Sequence, residues 1–137
     1  MQFTSIVAQV LSLAAVTSAA SVAYDQIYDT GSQSTNTVSC SDGQYGLAAR
    51  FPTFGSFPQF PYIGAADVVG GWNSPSCGTC WQLTYQGRTI NVLAIDHAAS
   101  GFNIAVDAMN ALTGGRAVEL GRIDAESTQV PASVCGI

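Results

Sequence analysis

Apolar and polar positions alternate most cleanly between residues 81 and 95. Trp81-Gln82-Leu83-Thr84-Tyr85 repeats with a period of two, Gln86-Gly87 interrupts it, and Thr89 to Ile95 resumes as a largely apolar run. That pattern predicts a β-hairpin with a tight turn. Ala98-Ala99-Ser100-Gly101 reads as a loop. Beyond it, Met109 and Leu112 fall on one helical face with Ile104 and Ala105 or Ala108. This spacing predicts a helix from about Ile104 to Leu112, capped by Asn103 and stopped by Thr113-Gly114-Gly115. Residues 117–120 and 122–130 read as two further strands. Upstream, Ala65 to Val69 before Gly70-Gly71 reads as one or two helical turns with a glycine stop. Pro52, Pro58 and Pro61 rule out regular structure across the aromatic stretch 51–62, and residues 31–37 form a polar loop. Short strands with one or two small helices predict a compact β-barrel with helices packed on it.

The N-terminal pattern differs in kind. Residues 1–19 carry no Asp, Glu, Lys or Arg, and an apolar run ending at Val16 precedes Thr17-Ser18-Ala19-Ala20. A short apolar stretch followed by small residues is the pattern of a secretion signal, here without a basic start. The run is shorter than the roughly 20 apolar residues that a membrane span needs. Cleavage is expected after Ala19, or alternatively after Ala20, leaving residues 20–137 as one domain. Membrane insertion is not expected, and the protein is expected outside the cell.

Charge narrows the partners. The chain has no Lys; its four cations are Arg50, Arg88, Arg116 and Arg122, and its net charge is −5. Phosphate recognition needs clustered basic residues, so a nucleic-acid partner is not expected. A neutral partner such as a polysaccharide fits by elimination.

The densest motif is Gly71-Trp72-Asn73-Ser74-Pro75-Ser76-Cys77-Gly78-Thr79-Cys80-Trp81. Its Cys-Gly-Thr-Cys core has three readings: a redox dithiol, half a zinc site, or two anchors of separate disulfides. Zinc needs four good ligands, and His97 is the only histidine, so neither a metal nor a cofactor is expected. A redox motif should open a helix after a strand, whereas here Pro75 precedes it and a strand-like segment follows. Export favours disulfides among Cys40, Cys77, Cys80 and Cys135, which allow three pairings. Joining Cys77 to Cys80 makes a small strained loop and leaves the long loops open.

These pieces together resemble the cerato-platanin family of small secreted fungal proteins. The matching segments are Val22-Ala23-Tyr24-Asp25, Ser39-Cys40-Ser41-Asp42-Gly43 with Gly46-Leu47, Phe60-Pro61-Tyr62-Ile63-Gly64, and the motif from Gly71 to Trp81. Val92 to Asp96, Gly101-Phe102-Asn103, Ala108 to Leu112 and the Cys-Gly-Ile tail continue the match. The resemblance implies a mainly β fold, a six-stranded double-psi β-barrel with short flanking helices, similar to the first domain of expansins. It implies disulfides Cys40–Cys77 and Cys80–Cys135, the pairing that loop-closure entropy also favours. It further implies a wall-associated protein that binds chitin-type (N-acetylglucosamine) oligomers without clear hydrolysis, is mostly monomeric, self-assembles at interfaces in some members, and acts as an elicitor or effector on a plant receptor.

Asp96 follows an apolar strand, where a barrel strand emerges at the rim, and the resemblance places it in a shallow groove as an acceptor for sugar hydroxyls. The competing reading is a strand-end Asp that organises its own loop. Asn103 is expected either to bond sugar or to cap the helix. Tyr24 and Asp25 either border the groove or belong to the first strand, and Gln129 presents an amide from the last strand. A glycosidase or lytic transglycosylase using Asp96 is the alternative; it needs a second carboxylate, for which Asp25, Asp107 and Asp124 are candidates. No catalytic role is expected for His97, for want of a nucleophile motif beside it. A surface-active assembly is the third reading, favoured if the aromatic stretch 51–62 is exposed. Trp81 is expected in the core, and Trp72 is left open between core and surface.

Overall fold

A computed structural model describes residues 16–137. The expected secretion signal lies outside the described residues over positions 1–15. Six strands form a closed barrel: β1 (Ser18–Tyr24), β2 (Ile63–Ala66), β3 (Cys80–Tyr85), β4 (Arg88–His97), β5 (Phe102–Ile104) and β6 (Arg122–Val130). Around the barrel they follow the order β1-β5-β2-β4-β3-β6, with β1 parallel to β5 and β2 parallel to β4. This is the six-stranded, mainly β barrel that the resemblance implied. Closure pairs every strand on both sides and removes sheet edges.

Local chemistry accounts for the hairpin. Gln86 and Gly87 both take positive φ (47° and 79°), the turn whose twist matches that of the flanking strands. The turn sets Tyr85 opposite Arg88 and Leu83 opposite Ile90. On β6, Ile123, Ala125 and Ser127 are buried while Arg122, Asp124 and Glu126 are exposed, the period-two pattern of a strand with one face on the core. Val92, Leu93, Ala94 and Ile95 of β4 are all buried, because that strand lies between β2 and β3 and under a helix.

Three local expectations change. Ala65 and Ala66 belong to strand β2 rather than to a helical turn; all four β2 residues are buried between β4 and β5. Ala117–Leu120 is a short helix, α2, and not a strand. The main helix, α1, runs from Val106 to Thr113 and its N-cap is Ala105, so Asn103 does not cap it. Instead Asp29, far away in sequence, accepts hydrogen bonds from Val106 N (2.7 Å) and Asp107 N (3.0 Å). A carboxylate is the favoured partner for the exposed N–H groups and positive dipole end of a helix. Asn103 itself lies on β5, a strand too short to register as a period in the sequence.

Both disulfides form as implied, Cys40–Cys77 and Cys80–Cys135, closing sequence separations of 37 and 55 residues. In the loop-entropy account each stabilises by about 4 kcal/mol. The first ties the 39–49 loop to the 70–79 loop; the second ties the C-terminus to β3. The aromatic stretch folds inward: Phe54 and Phe57 are buried, and Phe51, Phe60 and Tyr62 pack partly buried against the core. Phe51 and Phe57 meet at 4.9 Å between ring centroids. No apolar patch is left at that position. Trp81 is partly buried, packed on Phe102 at 5.7 Å, whereas Trp72 is exposed.

Candidate functional site

Register places the candidate residues. Asp96 on β4 stands opposite Ala65 on β2, Ala65 opposite Asn103 on β5, Asn103 opposite Ala23 on β1, and Ala23 opposite Arg122 on β6. Residues directly opposite in neighbouring strands project to one face. Asp96, Asn103 and Arg122 therefore form a row crossing five strands, with alanines in the gaps. Ala23 lies partly open between Asn103 and Arg122, whereas Ala65, between Asp96 and Asn103, is buried. Beside the row lies a depression of about 340 Å³, lined by Ser21, Ala23, His97, Phe102, Asn103 and Arg122 among others.

Asp96 enters the row through an irregularity. Gly64 pairs with Ala94, but the next residue, Ala65, pairs with Asp96, so Ile95 is passed over. A bulge of this kind re-aims a side chain, and here it brings the carboxylate into line with Asn103. Gly64 is needed at that bend: a Cβ there would stand 2.5 Å from Asn103 O and 2.7 Å from Ile104 Cα. The β5 backbone leaves no room for a methyl group.

The Asp96 carboxylate is already engaged. Its Oδ1 accepts from Ser39 N (3.0 Å) and His97 N (2.9 Å), and its Oδ2 accepts from the Tyr28 hydroxyl (2.8 Å). A carboxylate offers about four lone-pair sites, so one remains for a ligand. Tyr28 sits in a short 3₁₀ turn, Gln26–Asp29, and is 5 % exposed. Burial, followed by the charge and hydrogen bond of Asp96 and then the charge of Asp25, pushes its phenol well above the ordinary range. Asp96 thus clasps the 3₁₀ turn, the 39–49 loop and β4 together. The loop-organising reading describes what it does within the chain.

The other candidates divide. Asp25 caps the 3₁₀ turn through Ile27 N (3.0 Å) and is close enough to Tyr28 for its charge to act there. Tyr24 ends β1, pairs with Ile104 and packs partly buried against the core, on the opposite strand face from Ala23. Gln129 is exposed opposite Trp81, seven positions along β6 from Arg122, and takes no place in the row. Asp107 is exposed in the first turn of α1 and Asp124 is exposed on β6. His97 Nδ1 donates to Val69 O at 2.6 Å, which fixes its ring to the segment after β2. Sequence reasoning missed Tyr28, Ser39 and Arg122. Nothing local marks them, because each joins the site through a partner between 57 and 99 residues away.

Comparison with known proteins agrees with this architecture. A sequence model of the family described as cerato-platanin matches residues 20–137. The Allergen Asp f 15 of Aspergillus fumigatus is 53 % identical over 115 residues, 84 % of this chain and 76 % of that relative. The crystal structure of cerato-platanin 2 from M. perniciosa superposes with a TM-score of 0.86 at 54 % identity, covering 88 % of this chain and all of that one. The solution structure of the fungal elicitor Cerato-Platanin superposes with a TM-score of 0.78 at 41 % identity, covering 84 % of this chain and 95 % of that one. The apo expansin of Clavibacter michiganensis shares the fold alone (TM-score 0.55, 16 % identity), this chain matching 51 % of that structure. With a match across the whole barrel, both disulfides and the Asp96–Asn103 row included in the matched span, the chain belongs to the cerato-platanin family.

Proposed function

We propose that this protein is a secreted, wall-associated module that binds neutral cell-wall glycans, of the chitin type, without hydrolysing them. The observation that carries this reading is the row of Asp96, Asn103 and Arg122 across five strands, with Ala23 partly open between the last two beside a depression. Such a row offers an acceptor, an amide and a cationic donor in a line, which suits successive hydroxyl and acetamido groups. The net charge of −5 weighs against polyanionic ligands. A general acid must give a proton away, and the three partners of Asp96 all donate to it. That favours binding over hydrolysis. By likeness to the relative described as a fungal elicitor, recognition of the exposed loops by a plant receptor is the organism-level role we assign.

The test is an NMR titration of the mature protein with chitohexaose. Shifts centred on Ala23, Ala65 and Asn103 are expected, and Asn103→Ala should weaken binding about tenfold. Flat spectra at millimolar ligand overturn the groove. Release of reducing sugar from chitin that Asp96→Asn abolishes overturns the non-hydrolytic reading.

A further inference from the structure

Trp72 is the most exposed tryptophan position in the fold, with 63 % of its surface open to solvent, yet its ring is held from several sides. Its Nε1–H donates to Asp42 Oδ1. Its Cζ2 edge lies against Gly43, where a Cβ would approach it to 3.1 Å and would come within 2.7 Å of Asn73 Oδ1. Gly43 also takes φ of 83°, a conformation that disfavours other residues. Asn73, next to the tryptophan, accepts from Tyr45 N (2.9 Å), and Cys40–Cys77 welds the two loops a few residues away. The indole nitrogen is therefore satisfied within the chain, and an open ring face is presented on a rigid mount.

The surroundings are polar. Asp42 Oδ1 takes the indole and, more weakly, Ser41 Oγ (3.3 Å); among the described residues nothing donates to Oδ2. The indole hydrogen bond, ahead of Ser41, holds the Asp42 carboxyl below the usual range, so it is an acceptor at neutral pH. A depression of about 340 Å³ adjoins it, lined by Asn36, Ser41, Asp42, Gly43 and Ala48 among others.

We propose that Trp72 and Asp42 form a second saccharide subsite, in which one neutral pyranose ring stacks its C–H face on the indole while a hydroxyl donates to Asp42 Oδ2. The chemistry selects this ligand class. A wholly apolar partner would strip water from the carboxylate without replacing its hydrogen bonds. An anion meets the carboxylate's charge and a net charge of −5. A neutral ring with an apolar face and hydroxyl edges satisfies both groups, as ligand sites combine an aromatic wall with a few placed polar atoms. The subsite shares its ligand class with the Asp96–Asn103 row but none of its residues. Ser39 N touches Asp96, and Asp42 lies three residues farther on, so the Cα atoms of Ser39 and Asp42 are at most about 11 Å apart.

The experiment follows the two indole Nε1–H resonances of the mature protein during titration with chitohexaose and with cellohexaose. The Trp72 resonance is expected to shift with one or both, while that of Trp81, whose Nε1–H is bound to Thr79 Oγ1, stays put. Trp72→Ala should melt like the parent, because the ring is exposed, and should lose about tenfold in affinity for the responding glycan. Trp72→Phe should retain most of it, and Gly43→Ala, which dislodges the indole without deleting it, should weaken binding in between. A stationary Trp72 resonance at millimolar ligand, or Trp72→Ala binding as the parent does, overturns the subsite. If the Trp72 response disappears in Asn103→Ala, the ring only reports on the groove, and the proposal also fails. If it persists while the groove shifts are lost, the two sites are separate.

Discussion

Replacing Tyr28 by Phe removes one oxygen and keeps the ring that stacks on Phe54 at 6.0 Å between centroids. The lost interaction is the 2.8 Å bond from the buried hydroxyl to Asp96 Oδ2. Hydrogen bonds to a charged group contribute about 1.5–3 kcal/mol. For a domain of this size each kcal/mol moves Tm by about 3–6 °C, so Tyr28→Phe should lower Tm by about 5–18 °C at pH 7. A second consequence appears at high pH. The folded phenol holds its proton far above the ordinary tyrosine range, while the unfolded phenol releases it near pH 10. Above about pH 10 the unfolded state therefore binds fewer protons than the folded one, and stability falls as pH rises, by up to about 1.4 kcal/mol per pH unit from this group. Tyr28→Phe should lack that component. Thermal melts followed by circular dichroism, with disulfides intact, at pH 7 and across pH 9.5–11.5 measure both effects. A Tm drop below about 2 °C at pH 7, or equal alkaline slopes for the two proteins, would refute the role assigned to the Tyr28–Asp96 clasp.

Two further outcomes test the frame around the site. Asp29→Ala leaves two N–H groups of α1 without their acceptor and should cost about 1–2 kcal/mol, read as a lower Tm with faster amide exchange in the first turn of the helix. Gly64→Ala forces a methyl group against the β5 backbone and should cost about 3 kcal/mol or more, whereas Gly70→Ala, where a Cβ meets nothing within 4 Å, should change stability by less than about 1 kcal/mol; similar denaturant midpoints for the two variants would show that the bulge tolerates side chains.

The cleavage position proposed for the secreted form bears on the barrel as well. Ser18 and Ala19 begin β1 and pair with Ser127 and Glu126. Removal of residues 1–19 leaves the pairing from Ala20 onward, including the Val22 and Ala23 positions that carry the row. The groove does not depend on those first two rungs.

The sequence alone determined what depends on near neighbours. The Gln86-Gly87 turn, the alternation on β3 and β6, and the hydrophobic face and glycine stop of α1 are set by interactions within a few residues, so their periods and turn chemistry are readable in the chain. The pattern of short strands pointed to a barrel; the likeness of motifs spread along the chain supplied its six-stranded topology and, together with loop-closure entropy, the disulfide pairing. Tertiary structure alone decided whatever rests on contact between distant segments. Ala65–Ala66 has the composition of a helical turn, yet burial between β4 and β5 makes it a strand. Ala117–Leu120 has strand-like character, yet Asn110 Oδ1 accepts from Ala117 N and begins a helical turn. Asn103 looks like a cap, but Asp29 takes that place from 77 residues away. The row that aligns Asp96 with Asn103 exists because one bulge passes over Ile95. Side-chain facing in a strand has period two, so a single inserted position reverses it, and only the pairing partner, not the local sequence, decides where that insertion falls.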